Sequence, residues 1–454
     1  FPDAFKTAKV VPLPKNKDVS NPNNFRPISL LPILSKPLEK HIQKHLLNYM
    51  ERCKLFHNFQ SGFRPKHSCS TALSSLCDNW LSAINRSDIS GAVFLDFKKA
   101  FDLVDHTLLL HKLALYVNNP ATCSFFKSYL DNRTQYVSIN GKTSPKGYLK
   151  SGVPQGSVLG PLLFCVFIND LPLHISNSKV KTEFFADDST LHISCRTIQE
   201  IEVSLQSSLN EVNSWCNQNS MIVHPEKTKS MIITTRQKHQ SQPLKLNLSL
   251  ESQPVQQVTE HRVLGVIVDQ ELKWQSHINY VCQKISKNLF LLSKLKQYVD
   301  IVTLKLFYHA HILSHINYAS TLWDGVSDVH MKKLNSLHRR AAKLMLNGPQ
   351  LSADLKLKNL YYLPLIKQLQ FNKTVMMYKV YHGEVPNYIQ DLFYRVIERY
   401  GSINFLPPIP RIDLFKTSQA FSGSMVWNSI PSVIRSLTSL KSFKQALHNY
   451  YMST

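Results

Sequence analysis

Two adjacent carboxylates, Asp187 and Asp188, close the apolar run Phe184-Phe185-Ala186, and a second apolar stretch resumes at Leu191. Asp tolerates turn geometry while the flanks want burial, so the segment reads as strand, tight turn, strand. Carboxylates held side by side repel each other unless a cation lies between them, which makes a divalent metal their natural resident. Taken alone, the pair is an ordinary solvated turn. A second acidic strand changes that: Gly91-Ala92-Val93-Phe94-Leu95 ends in Asp96, as the later strand ends in Asp187. Neighbouring strands in one sheet would bring these carboxylates together. Two-metal phosphoryl transfer needs that arrangement, with shared carboxylates bridging ions roughly 3.5–4 Å apart.

Between the two acidic strands lies Lys150-Ser151-Gly152-Val153-Pro154-Gln155-Gly156-Ser157, followed by the apolar Val158-Leu159-Gly160-Pro161-Leu162-Leu163-Phe164. Glycines and a proline force a shaped loop, and Ser157 is placed to cap the helix that follows. Gln155 offers an amide to a base or sugar edge.

Around these residues, apolar periodicity predicts helices over 35–50, 70–84, 105–117 and 198–217. Asn140-Gly141 predicts a hairpin turn. From 276 to 346 apolar residues recur at helical spacing with interleaved Lys and Arg, and beyond Asn347 the chain is aromatic, basic and punctuated by prolines. A length of 454 residues allows two or three structural units. The excess of 53 Lys+Arg over 30 Asp+Glu gives +23 and a pI near 9.6, the electrostatic footprint of a phosphate-rich partner.

The longest apolar run, 159–168, is interrupted by Gly160-Pro161 and falls short of a membrane span, and no signal-peptide pattern opens the chain. The 8 cysteines are scattered without a C-x-x-C pair, as expected of reduced thiols in an intracellular protein. His309, His311 and His315 lie in an amphipathic stretch with no acidic or Cys partner nearby and read as structural.

These segments together resemble the reverse transcriptase of non-LTR, LINE-type retrotransposons of the jockey-like or a related clade. The matching blocks run in family order: Asn24-Phe25-Arg26-Pro27-Ile28-Ser29-Leu30-Leu31, Gln60-Ser61-Gly62-Phe63-Arg64, Leu95-Asp96-Phe97-Lys98-Lys99-Ala100-Phe101-Asp102, Gly152 to Pro161, and Phe185-Ala186-Asp187-Asp188. Pro225-Glu226-Lys227-Thr228-Lys229, and then Val263-Leu264-Gly265-Val266 with Trp274, resemble the last two.

The resemblance implies an α+β, right-hand polymerase: an antiparallel-sheet palm and α/β fingers over 1–270, a helical thumb over 271–347, and a mixed C-terminal region, 348–454, without assigned function. It implies Asp96, Asp187 and Asp188 as metal ligands for two Mg²⁺ ions, with Mn²⁺ as an alternative. Phe101 resembles the steric gate against a 2′-hydroxyl. Arg26, with Lys15 or Lys17, resembles the cations on the incoming triphosphate. Phe97, Gln155 and Gly156 fall with the substrate-binding residues, and Leu264-Gly265 resembles the primer grip. Lys227 resembles the lysine that protonates pyrophosphate, with Lys229 close enough to compete.

The implied reaction is RNA-templated DNA synthesis from a primer 3′-hydroxyl, with an RNA template, a DNA primer or nicked target DNA, and deoxynucleoside triphosphates as partners. Cytoplasm and nucleus are the expected compartments. In the family such a polymerase follows an endonuclease; the resemblance starts within the fingers, so a segment without that domain is expected. Two rivals stand beside this reading. The spacing from Asp96 to Asp102 also suits an RNA-dependent RNA polymerase, against which Phe101 and Pro154-Gln155-Gly156 argue. The other rival is a catalytically inactive nucleic-acid-binding remnant.

Overall fold

The computed structural model describes residues 1–15, 17–241, 243–346, 351–397 and 403–454. At its centre is a five-stranded sheet in the order Gln256–Gln257, Lys229–Ile233, Ile89–Leu95, Asp188–Cys195, Lys181–Phe185. Ile89–Leu95 takes the middle because it carries nothing that needs water, and all of its residues are buried. It runs antiparallel to both neighbours, with Leu95 opposite Ser189 and Ala92 opposite Met231.

Its side chains alternate between two cores. Ile89, Val93 and Leu95 pack with Ile201, Leu205 and Leu209 of helix Ile198–Gln218. Ala92 and Phe94 pack with Trp80 and Leu81 of helix Cys69–Asn85. The four expected helices form as Ser35–Arg52, Cys69–Asn85, His106–Tyr116 and Ile198–Gln218. The last three start where a polar side chain accepts a backbone N–H: Ser68, Asp105 and Thr197.

A second sheet carries Thr7–Pro14 between Phe25–Leu30, antiparallel, and Thr134–Ile139, parallel. Asn140 and Gly141 make the expected hairpin turn, with φ of +49° and +80°. Helix Gly160–Ile168 is buried on nearly every side. Its first N–H groups therefore need internal acceptors. Ser157 Oγ accepts from Gly160 N at 2.9 Å, and the Glu39 carboxylate accepts from Val158 and Leu159 at 2.8 and 3.1 Å. Among the described residues no helix is long and apolar enough to cross a membrane. All eight cysteines are free thiols.

The expected helical stretch after 276 forms as Gln275–Leu295, Ile301–Tyr308 and Asp328–Met345 among shorter turns. Its core residues Ile285, Trp323 and Leu334 continue directly into the Phe94 side of the sheet, and so do Leu357, Leu365 and Phe415 from further along. The expected boundary at 347/348 lies outside the described residues. A separate core, built on Tyr378, Trp427 and Phe443, occupies the C-terminal region.

Buried polar groups join these parts. Asp78 of helix Cys69–Asn85 accepts the backbone N–H groups of Gln419 and Ala420, each at 2.7 Å. Lys373, 1% exposed, reaches Asp324 at 2.6 Å and Ser422 at 2.6 Å.

Glu183 belongs to the sheet's edge strand, buried, with one oxygen accepting from Ser75 Oγ at 2.7 Å. Burial pushes its carboxyl up to about 8 from 4.5. A raised carboxyl favours the folded state below the unfolded value and loses that advantage as pH climbs from 4.5 to 8. Glu183→Gln should therefore match the wild type near pH 4.5 and exceed it above pH 8 by a few kcal/mol, at ~1.4 kcal/mol per shifted unit. Melting temperatures across that range check it; a pH-independent difference would remove Glu183 from the account.

Candidate active site

Register brings the three aspartates to one end of the sheet. Leu95 faces Ser189, so the ladder's next step sets Asp96 against Asp188, and Asp188 pairs with Phe185 across the turn. The turn residues are Ala186 and Asp187, with Ala186 at φ +60°, a left-handed conformation costly for a residue with a Cβ. Gln60 Oε1 accepts the Ala186 N–H at 3.4 Å and that of Gly62 at 2.9 Å, tying the strained turn to the preceding loop.

Asp187 and Asp188 are exposed at the turn, and Asp96 is half-buried beside them. Withdrawal from bulk solvent raises the Asp187 carboxyl, Asp96 raises it further, and Arg26 opposes the shift. Asp188 is pushed up to about 6, first by the same withdrawal and then by repulsion from Asp187 and Asp96. Such mutual repulsion among hard oxygen donors is the chemistry of a divalent-cation site. As they stand, no three His, Cys, Asp or Glu side chains among the described residues are arranged to hold a metal ion. The donor type and charge fit a metal; the side chains have not closed on one.

Beside the turn opens a cleft of about 920 Å³. Asp96 and Asp187 line it with Lys227, Lys15 and Arg26, and so do Phe97, Phe101 and Gln155. Asp188, Gly156, Leu264 and Gly265 do not.

Lys15 and Arg26 come from the second sheet: Arg26 sits opposite Leu13 in the hairpin, and Lys15 N donates to Asn24 O at 2.7 Å. Lys17 is not part of the lining. The sequence left Lys227 and Lys229 as alternatives, and the structure treats them differently. Lys227 Nζ stands 3.9 Å from Asp96 Oδ1, whereas Lys229 Nζ is engaged by Gln256 Oε1 at 2.7 Å.

Phe101 stacks on the fully buried Phe164, with ring centroids 4.5 Å apart, so its ring has a fixed backing. Phe97 is nearly buried and bridges to Val223. Gly156 serves the site through its backbone. Its φ is +127°, and a Cβ there would stand 2.4 Å from Ser29 O. That close approach, with Ser29 N donating to Gln155 O at 2.7 Å, fastens the Gln155 loop to strand Phe25–Leu30. Leu264 and Gly265, with φ of +46° and +86°, turn the hairpin from Glu260–Val263 to Val266–Asp269, and the Tyr318 hydroxyl donates to Leu264 O at 2.5 Å.

Sequence reasoning gave Asp102 a place only in the rival RNA-polymerase reading and gave His224 none. Asp102 lines the cleft, and its Oδ1 accepts from Gln155 Nε2 at 2.8 Å. A carboxylate only accepts, so it decides which end of the Gln155 amide turns toward it and leaves the amide oxygen for a ligand. The signal was the Asp96-to-Asp102 spacing, which puts both carboxylates at one strand end. Asp102→Ala should lower kcat/KM for the nucleotide roughly tenfold, mostly through KM, the worth of one oriented hydrogen bond. Asp102→Asn, which keeps an acceptor oxygen, should restore most of it, as steady-state incorporation kinetics will show. His224 also lines the cleft, donates its backbone N–H to Asp96 O at 2.7 Å, and carried no signal of its own.

With this geometry in place, the chain's likenesses can be set beside it. The family model for reverse transcriptase (RNA-dependent DNA polymerase) matches residues 13–268. Among curated relatives, the RNA-directed DNA polymerase from mobile element jockey of Drosophila melanogaster is 30% identical over 341 residues, 70% of this chain and 37% of that protein. The probable RNA-directed DNA polymerase from transposon BS of the same organism is 29% identical over 358 residues, 77% of this chain and 39% of that one. The chain thus spans about two-fifths of the length of these relatives. Among solved structures, apo telomerase from Candida tropicalis superposes with a TM-score of 0.46 at 11% identity, over 99% of this chain and 70% of that one.

Proposed function

The chain belongs to the reverse transcriptase family, and on that premise we propose that it extends the 3′-hydroxyl of a DNA primer on an RNA template, as the polymerase of a non-LTR retrotransposon. The observation that carries this reading is the single cleft where Asp96 and Asp187 meet Lys15, Arg26, Phe101, Gln155 and Lys227. Two acidic groups facing a cationic rim suit a substrate that brings triphosphate on one side and metal on the other.

Asp96, Asp187 and Asp188 would hold two Mg²⁺ ions, or Mn²⁺, which when bound would acidify the primer hydroxyl and offset charge on the departing pyrophosphate. The chain's own side chains do the rest. Arg26 and Lys15 draw the triphosphate to the fingers sheet. Lys227, beside Asp96, gives a proton to the leaving pyrophosphate. Phe101 closes the space a 2′-hydroxyl would occupy, and Gln155 rests its amide against the nucleotide. The Leu264-Gly265 turn supports the primer end. Residues 1–270 act as fingers and palm, 271–347 as thumb, and 348–454 as a region packed against both.

The test is Mg²⁺-dependent extension of a DNA primer on an RNA template by the purified chain, with deoxy- and ribonucleotides compared. Extension with deoxynucleotides supports the proposal. Salt-sensitive binding without extension replaces it with a nucleic-acid-binding remnant, and preference for ribonucleotides replaces it with an RNA polymerase.

A further inference from the structure

A second groove, of about 630 Å³, opens where four separate parts of the chain converge. One wall is a single stripe of helix Leu365–Tyr381: Gln368, Phe371, Asn372, Val375, Met376 and Lys379. These residues recur at three- and four-residue spacing, so they share a face. The opposite wall is the loop leading into helix Cys69–Asn85, with Lys66, His67 and Ser70. The turn at Asn317 to Thr321 closes one side, and Lys444 of helix Leu440–Ser453 the other.

The chemistry of the lining is consistent. Lys66, Lys379 and Lys444 line it with one acid, Glu384, and Lys66 Nζ donates to Gly383 O at 2.8 Å. Between the cations runs a row of amides: Gln368 and Asn372 both donate to Asn317 Oδ1, at 3.2 and 3.0 Å, and Asn372 also donates to Ser320 Oγ at 3.0 Å. Gln368 also donates to Asn372 Oδ1 at 3.0 Å, which leaves the Gln368 amide oxygen as an acceptor for a ligand. Phe371, Val375 and Met376 supply an apolar floor, each only partly covered. Cations along a track, amides that bond base or sugar edges, and an apolar surface with an aromatic ring are what a single nucleic-acid strand needs. The groove also neighbours the proposed polymerase parts. Tyr318, between Asn317 and Ala319 of its rim, bonds the Leu264 turn.

We propose that this groove binds an extended single strand of nucleic acid through its phosphodiester backbone, and that residues 365–379 and 444 of the C-terminal region exist in part to build it. The proposal rests on the reading of the chain as a protein that works on nucleic acid, not on its catalysis. Lys379 and Lys444 are the groups to reverse, because among the described residues neither side chain holds a hydrogen bond or ion pair and neither is buried.

Short unstructured fluorescein-labelled RNA and DNA single strands and a blunt duplex would be titrated by anisotropy from about 50 to 200 mM salt. Lys379→Glu/Lys444→Glu is compared with Lys36→Glu/Lys40→Glu, which makes the same charge change on helix Ser35–Arg52, away from the groove. The groove variant should lose roughly tenfold in single-strand affinity and flatten the salt slope by about 1.4, while the control stays near wild type and duplex binding holds. The strand type that loses more, RNA or DNA, identifies the occupant. Unchanged single-strand binding overturns the proposal. Equal losses in both variants, or an equal loss for duplex, also overturn it, since they report the protein's overall field. Binding is measured without turnover, so a failure to extend primers would sink the polymerase reading and leave this one standing or falling on its own.

Discussion

Asp187→Asn is expected to abolish primer extension, by about a thousandfold or more, while primer–template affinity stays within a factor of about two. The substitution changes charge without changing shape, and Asn is as much at home in a tight turn as Asp. What it removes is a donor at the point where Asp96, Asp187 and Asp188 already repel one another. That repulsion makes a second readout possible. Without a bound cation the variant loses an unfavourable interaction, so its melting temperature should be no lower than wild type, and Mg²⁺ should stabilise it less. Extension rates, anisotropy on a primer–template and melting with and without Mg²⁺ separate the outcomes. A variant that melts early and binds poorly would mean Asp187 serves the fold rather than the chemistry.

Phe101→Ala should raise incorporation of ribonucleotides relative to deoxynucleotides by about a hundredfold, chiefly by admitting the former. A ring excludes a hydroxyl only if it cannot step aside, and Phe101 is held by its stack on Phe164, itself fully buried behind it. Phe164 belongs to helix Gly160–Ile168, whose start is capped by Ser157 and Glu39. In the proposed gate role the ring would be as fixed as the buried helix behind it. Phe101→Leu should fall between, since Leu fills less of the same space. Sugar selectivity unchanged in both variants would take the gate away from Phe101.

The aspartates were legible because turn chemistry and apolar runs mark where strands end. That these ends coincide was not, since nothing in periodicity pairs residue 95 with residue 189. Only the order of the motifs carried that expectation. Local signals placed the four long helices and the Asn140-Gly141 turn within a few residues.

Tertiary choices escaped. Lys227 and Lys229 differ in sequence by two positions and in structure by which partner is in reach. Asp102 reads as a polar residue of a helix start until Gln155 arrives across the loop. Glu39 looks like any charged position of an amphipathic helix, yet it is wholly buried under another helix's N-terminus. The tail looked separate by composition; its Leu365 and Phe415 share a core with Trp80 and Phe94.

One of those joints orders events in time. Asp78 lies in helix Cys69–Asn85 against the central sheet, 2% exposed, and its carboxylate is satisfied by N–H groups 341 and 342 residues further on. During synthesis at roughly 5–20 residues per second, that charge waits tens of seconds for its partner. A carboxylate buried without those donors is costly, so closing the helix onto the sheet is disfavoured until they arrive. The central sheet is thus kept provisional after Asp96, Asp187 and Lys227 have all been made. A premature stop between Lys227 and Gln419 would keep the cleft's residues and still leave Asp78 without its two backbone donors.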